Sequence, residues 1–203
     1  MRVKITFTEG ILGTANANPE VHEEFIASKS ADAQQKKEEI ESLPAEELLE
    51  KSMTVFPRDD DGTPMLWDYQ VKGFLKEALL TLLEYSEPDC KIGKAKLSKW
   101  TCKRVVDNAV MVSPRKIPLV MPDGGEITHC VRPLRASTMK GERIALATSE
   151  EVPAGTTIEV EITTLSKKLD ELMVKCMDSG SNKGIGQWRN SGKGRFEWVM
   201  IDA

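Results

Sequence analysis

Apolar and polar residues alternate from the first residues of the chain. "RVKITFT" (2–8) places Val3, Ile5 and Phe7 on one face, the period of a half-buried strand. A loop, "EGILGTANANPE", follows with Gly10, Gly13 and Pro19. From Pro19 to Ser52 the chain is rich in Ala, Glu, Lys and Leu and is divided by Pro44. It reads as two or three short helices, the last opened by "SLPAEE" with Ser42 as N-cap. "FPRDDDGTP" (56–64) is a loop, and "WDYQVKGFLKEALLTLLEY" (67–85) a long amphipathic helix. Its apolar stripe is Val71, Phe74, Leu75, Ala78, Leu79 and Leu82.

Beyond a basic linker the pattern turns to strands. "CKRVVDNAVMV" (102–112), "KIPLVM" (116–121) and "ITHCVRPLR" (127–135) read as strands, the last two as a hairpin around "PDGG". "RIALATS" (143–149) and "TTIEVEITTL" (156–165) follow, the latter with Ile158, Val160 and Ile162 turned inward. "SKKLDELMVKCMD" (166–178) predicts a helix capped by Ser166, and "RFEWVMI" (195–201) a closing strand after a glycine-rich loop. Two β-α-β halves of this kind predict an α+β, ferredoxin-like antiparallel sheet with helices on one face. Residues 1–203 are expected to form a single domain, with 19–64 as an acidic helical insertion after the first strand.

Composition narrows the class. Hydrophobic residues make up 40% of the 203 residues and charged residues 30%, enough for a buried core and against global disorder. The N-terminus lacks the apolar core of a signal peptide, and no run approaches the roughly 18 apolar residues of a membrane span. Cys90, Cys102, Cys130 and Cys176 form no C-x-x-C pair, although Cys102 and Cys130 could face each other on neighbouring strands. A reduced, cytoplasmic protein without membrane contact is expected, and no metal or cofactor.

The net charge of -4 conceals an asymmetry. Glu20 to Asp61 carries thirteen acidic and five basic residues, whereas Cys90 to Arg143 carries twelve basic and four acidic ones. Gly180 to Phe196 has four basic residues, Lys183, Arg189, Lys193 and Arg195, and no acid. Local excesses of this kind decide whether a surface binds a polyanion.

The glycine-rich stretch "GIGQWRNSGKGRFEW" (184–198) admits three readings. A phosphate cradle of the P-loop type requires Ser or Thr where Gly194 stands, and a loop from strand to helix rather than helix to strand. A merely flexible connection ignores the two G-x-G pairs, Gly184/Gly186 and Gly192/Gly194, that flank "QWRNS". The third reading is a backbone that approaches a phosphodiester chain. Glycine allows positive φ and close approach, the four cations neutralise phosphates, and Trp188 stacks on a base beside Asn190. "KIGKAKLSKWTCKR" (91–104) adds six basic residues around Trp100, with Lys96 and Lys99 close by, the mixture of charge and aromatic suited to single-stranded RNA.

These motifs carry a resemblance. "GIGQWRNSGKGRF" resembles the glycine-rich loop of the repeat-associated mysterious protein (RAMP) superfamily, the RNA-binding subunits of CRISPR systems. "VPAGTTIEVEI" (152–162) resembles the strand before that family's last helix, and "VKITFTEGILGT" its first strand and turn. "VKGFLKEALL" (71–80) is similar to its lysine-glycine helix, with Lys72, Gly73 and Lys76 in matching order but Glu77 and Leu80 where the family carries a small residue and Arg. The resemblance implies an RRM-like fold and the binding of single-stranded RNA through Lys183, Gly184, Gly186, Trp188, Arg189, Asn190, Gly192, Lys193, Gly194 and Arg195. Lys96, Lys99 and Trp100 would line the path. Copies of the chain, or other CRISPR-type subunits, are the implied protein partners.

Cleavage is the open question. Metal-independent RNA cleavage needs a general acid and base, usually histidine. Only His22 and His129 are present; His22 is flanked by Glu20, Glu23 and Glu24, and His129 sits in a strand, where a histidine is ordinarily structural. Metal-dependent cleavage would draw on Asp32 or on "RDDDG" (58–62), which lacks the later glutamate of a calcium loop. The expected function is non-catalytic RNA holding. A His-based RNA-processing endonuclease and a stand-alone interaction protein are the alternatives.

Overall fold

The computed structural model describes residues 1–16, 53–85, 90–92, 95–138 and 141–201. The expected helices between Pro19 and Ser52, with His22 and Asp32, lie outside the described residues. The strands are β1 (Arg2–Phe7), β2 (Ile11–Leu12), β3 (Ala15–Asn16), β4 (Thr54–Val55) and β5 (Met65–Trp67). After helix α1 (Asp68–Tyr85) come β6 (Cys90–Ile92), β7 (Ala95–Leu97), α2 (Cys102–Ala109), β8 (Val110–Ser113) and β9 (Lys116–Pro118). The chain closes with β10 (Thr128–Thr138), β11 (Gly141–Val152), β12 (Thr157–Thr164), α3 (Lys167–Gly180) and β13 (Phe196–Met200).

Two compact units can be distinguished. The first comprises residues 1–11, 58–126 and 152–203, the second 12–57 and 127–151. The first holds a four-stranded sheet in the order β13-β1-β12-β8. β1 runs antiparallel to both β12 and β13, and β12 antiparallel to β8. With α1 between β1 and β8 and α3 between β12 and β13, this is the ferredoxin-like β-α-β-β-α-β path predicted from the hydrophobic pattern.

Alternation fixes the buried face. Val3, Ile5 and Phe7 of β1 and Ile158, Val160 and Ile162 of β12 are buried. Against them lie Val71, Phe74, Leu75, Ala78, Leu79 and Leu83 of α1 and Leu169, Leu172, Met173, Cys176 and Met177 of α3. Leu83 occupies the place expected for Leu82, which is only half-buried. The two helices pack so tightly at Gly180 that a Cβ there would sit 2.5 Å from the Phe74 ring. Phe196 completes the core, its ring edge-on to Phe7 at 6.4 Å and to Phe74 at 5.3 Å.

The helix ends follow local chemistry. The Ser166 hydroxyl accepts from the Leu169 N–H at 3.3 Å, as expected of an N-cap. At α1 the Gln70 side chain reaches back to accept from the Trp67 N–H at 2.7 Å, half of a capping box.

Two expectations are corrected. Residues 102–109 form a helix rather than a strand, because Cys102 and Val106 recur at helical spacing and bury against α1, while Thr101 accepts from the Ser98 N–H at 3.0 Å ahead of the first turn. Cys102 is therefore not on a strand beside Cys130; its near neighbour is Cys176. The "PDGG" turn forms, with the Gly125 N–H donating to Pro122 O at 2.8 Å, but it joins no hairpin. β9 pairs instead with β5, placing buried Leu66 opposite buried Ile117, and β10 pairs with β11 from Thr128↔Glu151 to Thr138↔Gly141. That long hairpin belongs to the second unit, with short β4 parallel to β11 and antiparallel to β3. In this unit Arg132 is buried and donates to the Ser149 hydroxyl at 2.9 Å.

Candidate nucleic-acid interface

The glycine-rich loop is a built structure. It leaves α3, where the Gly184 N–H donates to Gly180 O at 3.0 Å, and returns into β13. The Ile185 N–H donates to Gly194 O at 2.9 Å and the Gly194 N–H to Gly10 O at 2.9 Å, so the loop closes on itself and on the turn after β1. Gly184 and Gly194 form the neck and are buried. A Cβ on Gly184 would stand 2.7 Å from the Gly194 carbonyl, and one on Gly194 would overlap the Ile185 carbonyl oxygen. Gly184, Gly186, Gly192 and Gly194 all have positive φ, between 71° and 94°, a backbone that side chains rarely adopt.

The tip is a single 3-10 turn, Arg189–Ser191, bounded by Trp188 and Gly192 in the left-handed region. Trp188, at φ 53°, is the one non-glycine residue with positive φ among the described residues, and it is 39% exposed. Left-handed backbone costs a bulky residue on the order of 1–2 kcal/mol, so the turn keeps Trp188 against a local penalty. Asn190 is exposed beside it.

Two of the four loop cations converge on one carboxylate of α1. Lys183 Nζ lies 2.7 Å from Glu77 Oε1, and Arg189 Nη1 lies 2.6 Å from Glu77 Oε2. Lys183 also reaches the Thr81 hydroxyl at 3.4 Å. Burial by itself pushes the Glu77 carboxyl up, but hydrogen bonds from Arg189 and Lys183, with their charges, outweigh it and hold the group below the usual carboxylate range. Arg195 turns to the neck, its Nε donating to Asn182 O at 3.0 Å. Lys193 lies between the tip and the neck.

Within the second basic stretch, Ser98 to Thr101 form the turn ahead of α2. Trp100 is 84% exposed, with Lys99 Nζ 5.3 Å from its ring centre. Lys96 lies on β7, its side chain outside the described residues. The loop and this turn approach α1 through different elements, the loop through Glu77 and the turn through α2. His129 is exposed on β10 opposite Glu150, in the second unit. No cluster of three metal-ligating side chains occurs among the described residues, and none of their helices is long and apolar enough to cross a membrane.

The outer face of the sheet has a different character. β1 and β12, the central strands, present Arg2, Lys4 and Thr6 and Glu159, Glu161 and Thr163 there, with no aromatic residue. Arg2 pairs with Glu159 at 3.1 Å. With two carboxylates offsetting two cations and no ring on these strands, this face offers neither a net positive charge for phosphate nor a surface for a base to stack on.

Two features of the site lie outside the hydrophobic pattern. Glu77 carried a signal, an acid where the resembled family has a small residue. The other is an aromatic pair at the start of α1. Trp67 and Tyr69 stack with ring centres 6.3 Å apart and planes 12° from parallel, and the Arg115 guanidinium lies 5.8 Å from the Trp67 ring centre.

No protein-family model matches the sequence, and no curated protein does. Solved structures do. One is a chain of the cryo-EM structure of the Type III-B Cmr-beta bound to cognate target RNA, with TM-score 0.58 and 11% identity over 99% of this chain and 58% of that one. This chain thus spans 58% of the length of that neighbour. Another is the crystal structure of Cmr6 from Pyrococcus furiosus, with TM-score 0.49 and 10% identity over 98% and 97% of the two chains. At 11% identity the first likeness is one of architecture: this chain has a RAMP-like, ferredoxin-like α+β fold.

Proposed function

We propose that this chain is a RAMP-like RNA-binding protein that holds single-stranded RNA by its backbone, without cutting it, at the glycine-rich loop. The observation that carries the reading is the loop itself: a closed neck, a left-handed tip that carries the partly exposed Trp188, and four cations with no acid of the loop's own. Backbone N–H groups at positive φ, cations and an exposed indole are what a phosphodiester strand with unpaired bases requires. The fold supports it too, since the neighbour is a chain of a Cmr-beta structure bound to cognate target RNA, and the outer sheet face, with its cations offset by carboxylates and no aromatic ring on its central strands, leaves the helix-and-loop side for the strand. CRISPR-type subunits, or further copies of this chain, are the proposed protein partners, and residues 1–203 the proposed single RAMP-like unit.

The test is binding of a labelled single-stranded RNA at two salt concentrations, followed by a denaturing gel. Wild type should bind tightly and salt-dependently, Lys183→Ala/Arg189→Ala/Lys193→Ala should bind weakly with a shallower salt slope, and the RNA should stay intact. Cut RNA would replace the holding role by an endonuclease. Absence of binding by wild type would overturn the reading.

A further inference from the structure

We infer that the exposed ring of Tyr69, backed by Trp67, is a stacking platform for an unpaired base of the bound RNA, and that Gly73 keeps this platform uncovered. The inference rests on the RNA-holding reading above, and adds a second point of attachment on the same helix.

The platform is rigidly framed. Trp67 ends β5 and is paired with Lys116 of β9, its N–H is taken by Gln70, and the next N–H, of Asp68, donates to Arg115 O at 3.0 Å. Tyr69 stands on the first turn of α1 with its ring stacked on Trp67 and 61% exposed. Contact with the Trp67 ring restricts the rotamers of Tyr69 while most of its side chain stays open to solvent. Exposed aromatic area costs solvation, and a flat base removes it from water whatever its sequence.

Gly73 gives independent support. It lies one turn beyond Tyr69 on the same helix face, and a Cβ at that position would meet no atom within 4 Å. Glycine in an exposed helix interior is unfavourable, and here no contact within the described residues requires it. Helical side chains lean toward the N-terminus over the residue four positions earlier. A long side chain at position 73 would therefore reach back toward Tyr69. Glycine leaves that face open.

The charges around the ring suit a nucleotide. Arg115 and Lys116 are exposed at the Trp67 side, and Lys72 and Lys76 follow on α1, held toward Asp107. The acids beside these cations include Asp68, Asp107, which pairs with Lys76, and Asp60, 3.2 Å from Lys116. Tyr69 and Glu77, eight residues apart on one helix, are separated by about 12 Å along its axis. One RNA strand can therefore cross the loop and set a base on Tyr69.

The experiment compares two probes of equal length, single-stranded oligouridine and the corresponding abasic ribose-phosphate strand, on wild type, Tyr69→Ala, Tyr69→Phe and Gly73→Gln. The expected result is a loss of oligouridine affinity of about fivefold or more for Tyr69→Ala. Gly73→Gln, which covers the ring while favouring the helix, should lose affinity likewise. Tyr69→Phe should keep it, and abasic affinity should be the same in all four proteins. Equal oligouridine affinity in wild type, Tyr69→Ala and Gly73→Gln would overturn the platform while leaving the loop reading intact. Failure of wild type to bind either probe would remove the RNA reading first.

Discussion

Replacing Glu77 by Gln tests how the loop cations are used. Glu77 neutralises one positive charge of the loop and engages two, Lys183 at 2.7 Å and Arg189 at 2.6 Å. The three side chains are 37%, 41% and 29% exposed, so solvent screens both pairs strongly. Pairs of this kind are worth about 0.5 kcal/mol each, which puts the pair of contacts at about 1 kcal/mol. RNA phosphate that engages Lys183 and Arg189 must compete with this internal carboxylate. Removing the carboxylate should thus tighten RNA binding about fivefold. One additional net positive charge should also steepen the plot of log affinity against log salt by about 0.7. The assay is a titration of labelled single-stranded RNA at four salt concentrations, run beside denaturant unfolding without RNA. The variant should lose about 1 kcal/mol of stability while gaining affinity. Unchanged or weaker binding with an unchanged slope would refute the reasoning, because the two cations would then serve only to anchor the loop to α1.

Other outcomes follow from the same geometry. Because the folded-state pKa of Glu77 is depressed, its ion pairs contribute stability fully above the ordinary carboxylate range and lose it as pH falls through the lowered value; the difference in stability between wild type and Glu77→Gln should vanish in acid and stay flat from pH 6 to 8. Burial, with Cys102 nearby, pushes the Cys176 thiol up to about 12, so Cys176 should resist a thiol reagent at pH 8 until the protein unfolds, whereas half-exposed Cys130 reacts in the native state. Gly194→Ala, with positive φ and no room for a methyl group, should cost about 3 kcal/mol in denaturant unfolding. Gly73→Ala should instead add about 1 kcal/mol, and its methyl is too short to cover Tyr69, so RNA affinity should hold.

Elements with strong local signals follow from the order of residues alone. Period-two alternation at Val3, Ile5 and Phe7 and at Ile158, Val160 and Ile162 needs only one buried face to become a strand. The helical stripe from Val71 to Leu79 is set by spacing along one helix, and the Ser166 hydroxyl caps an N–H three residues on, so both are equally local. Where two structures suited the same residues, only packing decided. "CKRVV" satisfies a strand by its valines and a helix by the spacing of Cys102 and Val106, and burial against α1 selects the helix. β9 could pair with β10 across a well-formed turn, yet it pairs with β5, because register follows the apolar partner rather than the nearest strand.

The site divides in the same way. Four glycines and four cations in one stretch pointed to the loop, but not to its use of Gly184 and Gly194 as a sealed neck or to Glu77 as counter-ion. Arg189 and Glu77 are 112 residues apart, and Arg115 is far along the chain from the Trp67 ring it covers. No periodicity spans such intervals. Short-range preferences choose the elements, while which charges and rings meet is settled by the sheet and helices that carry them.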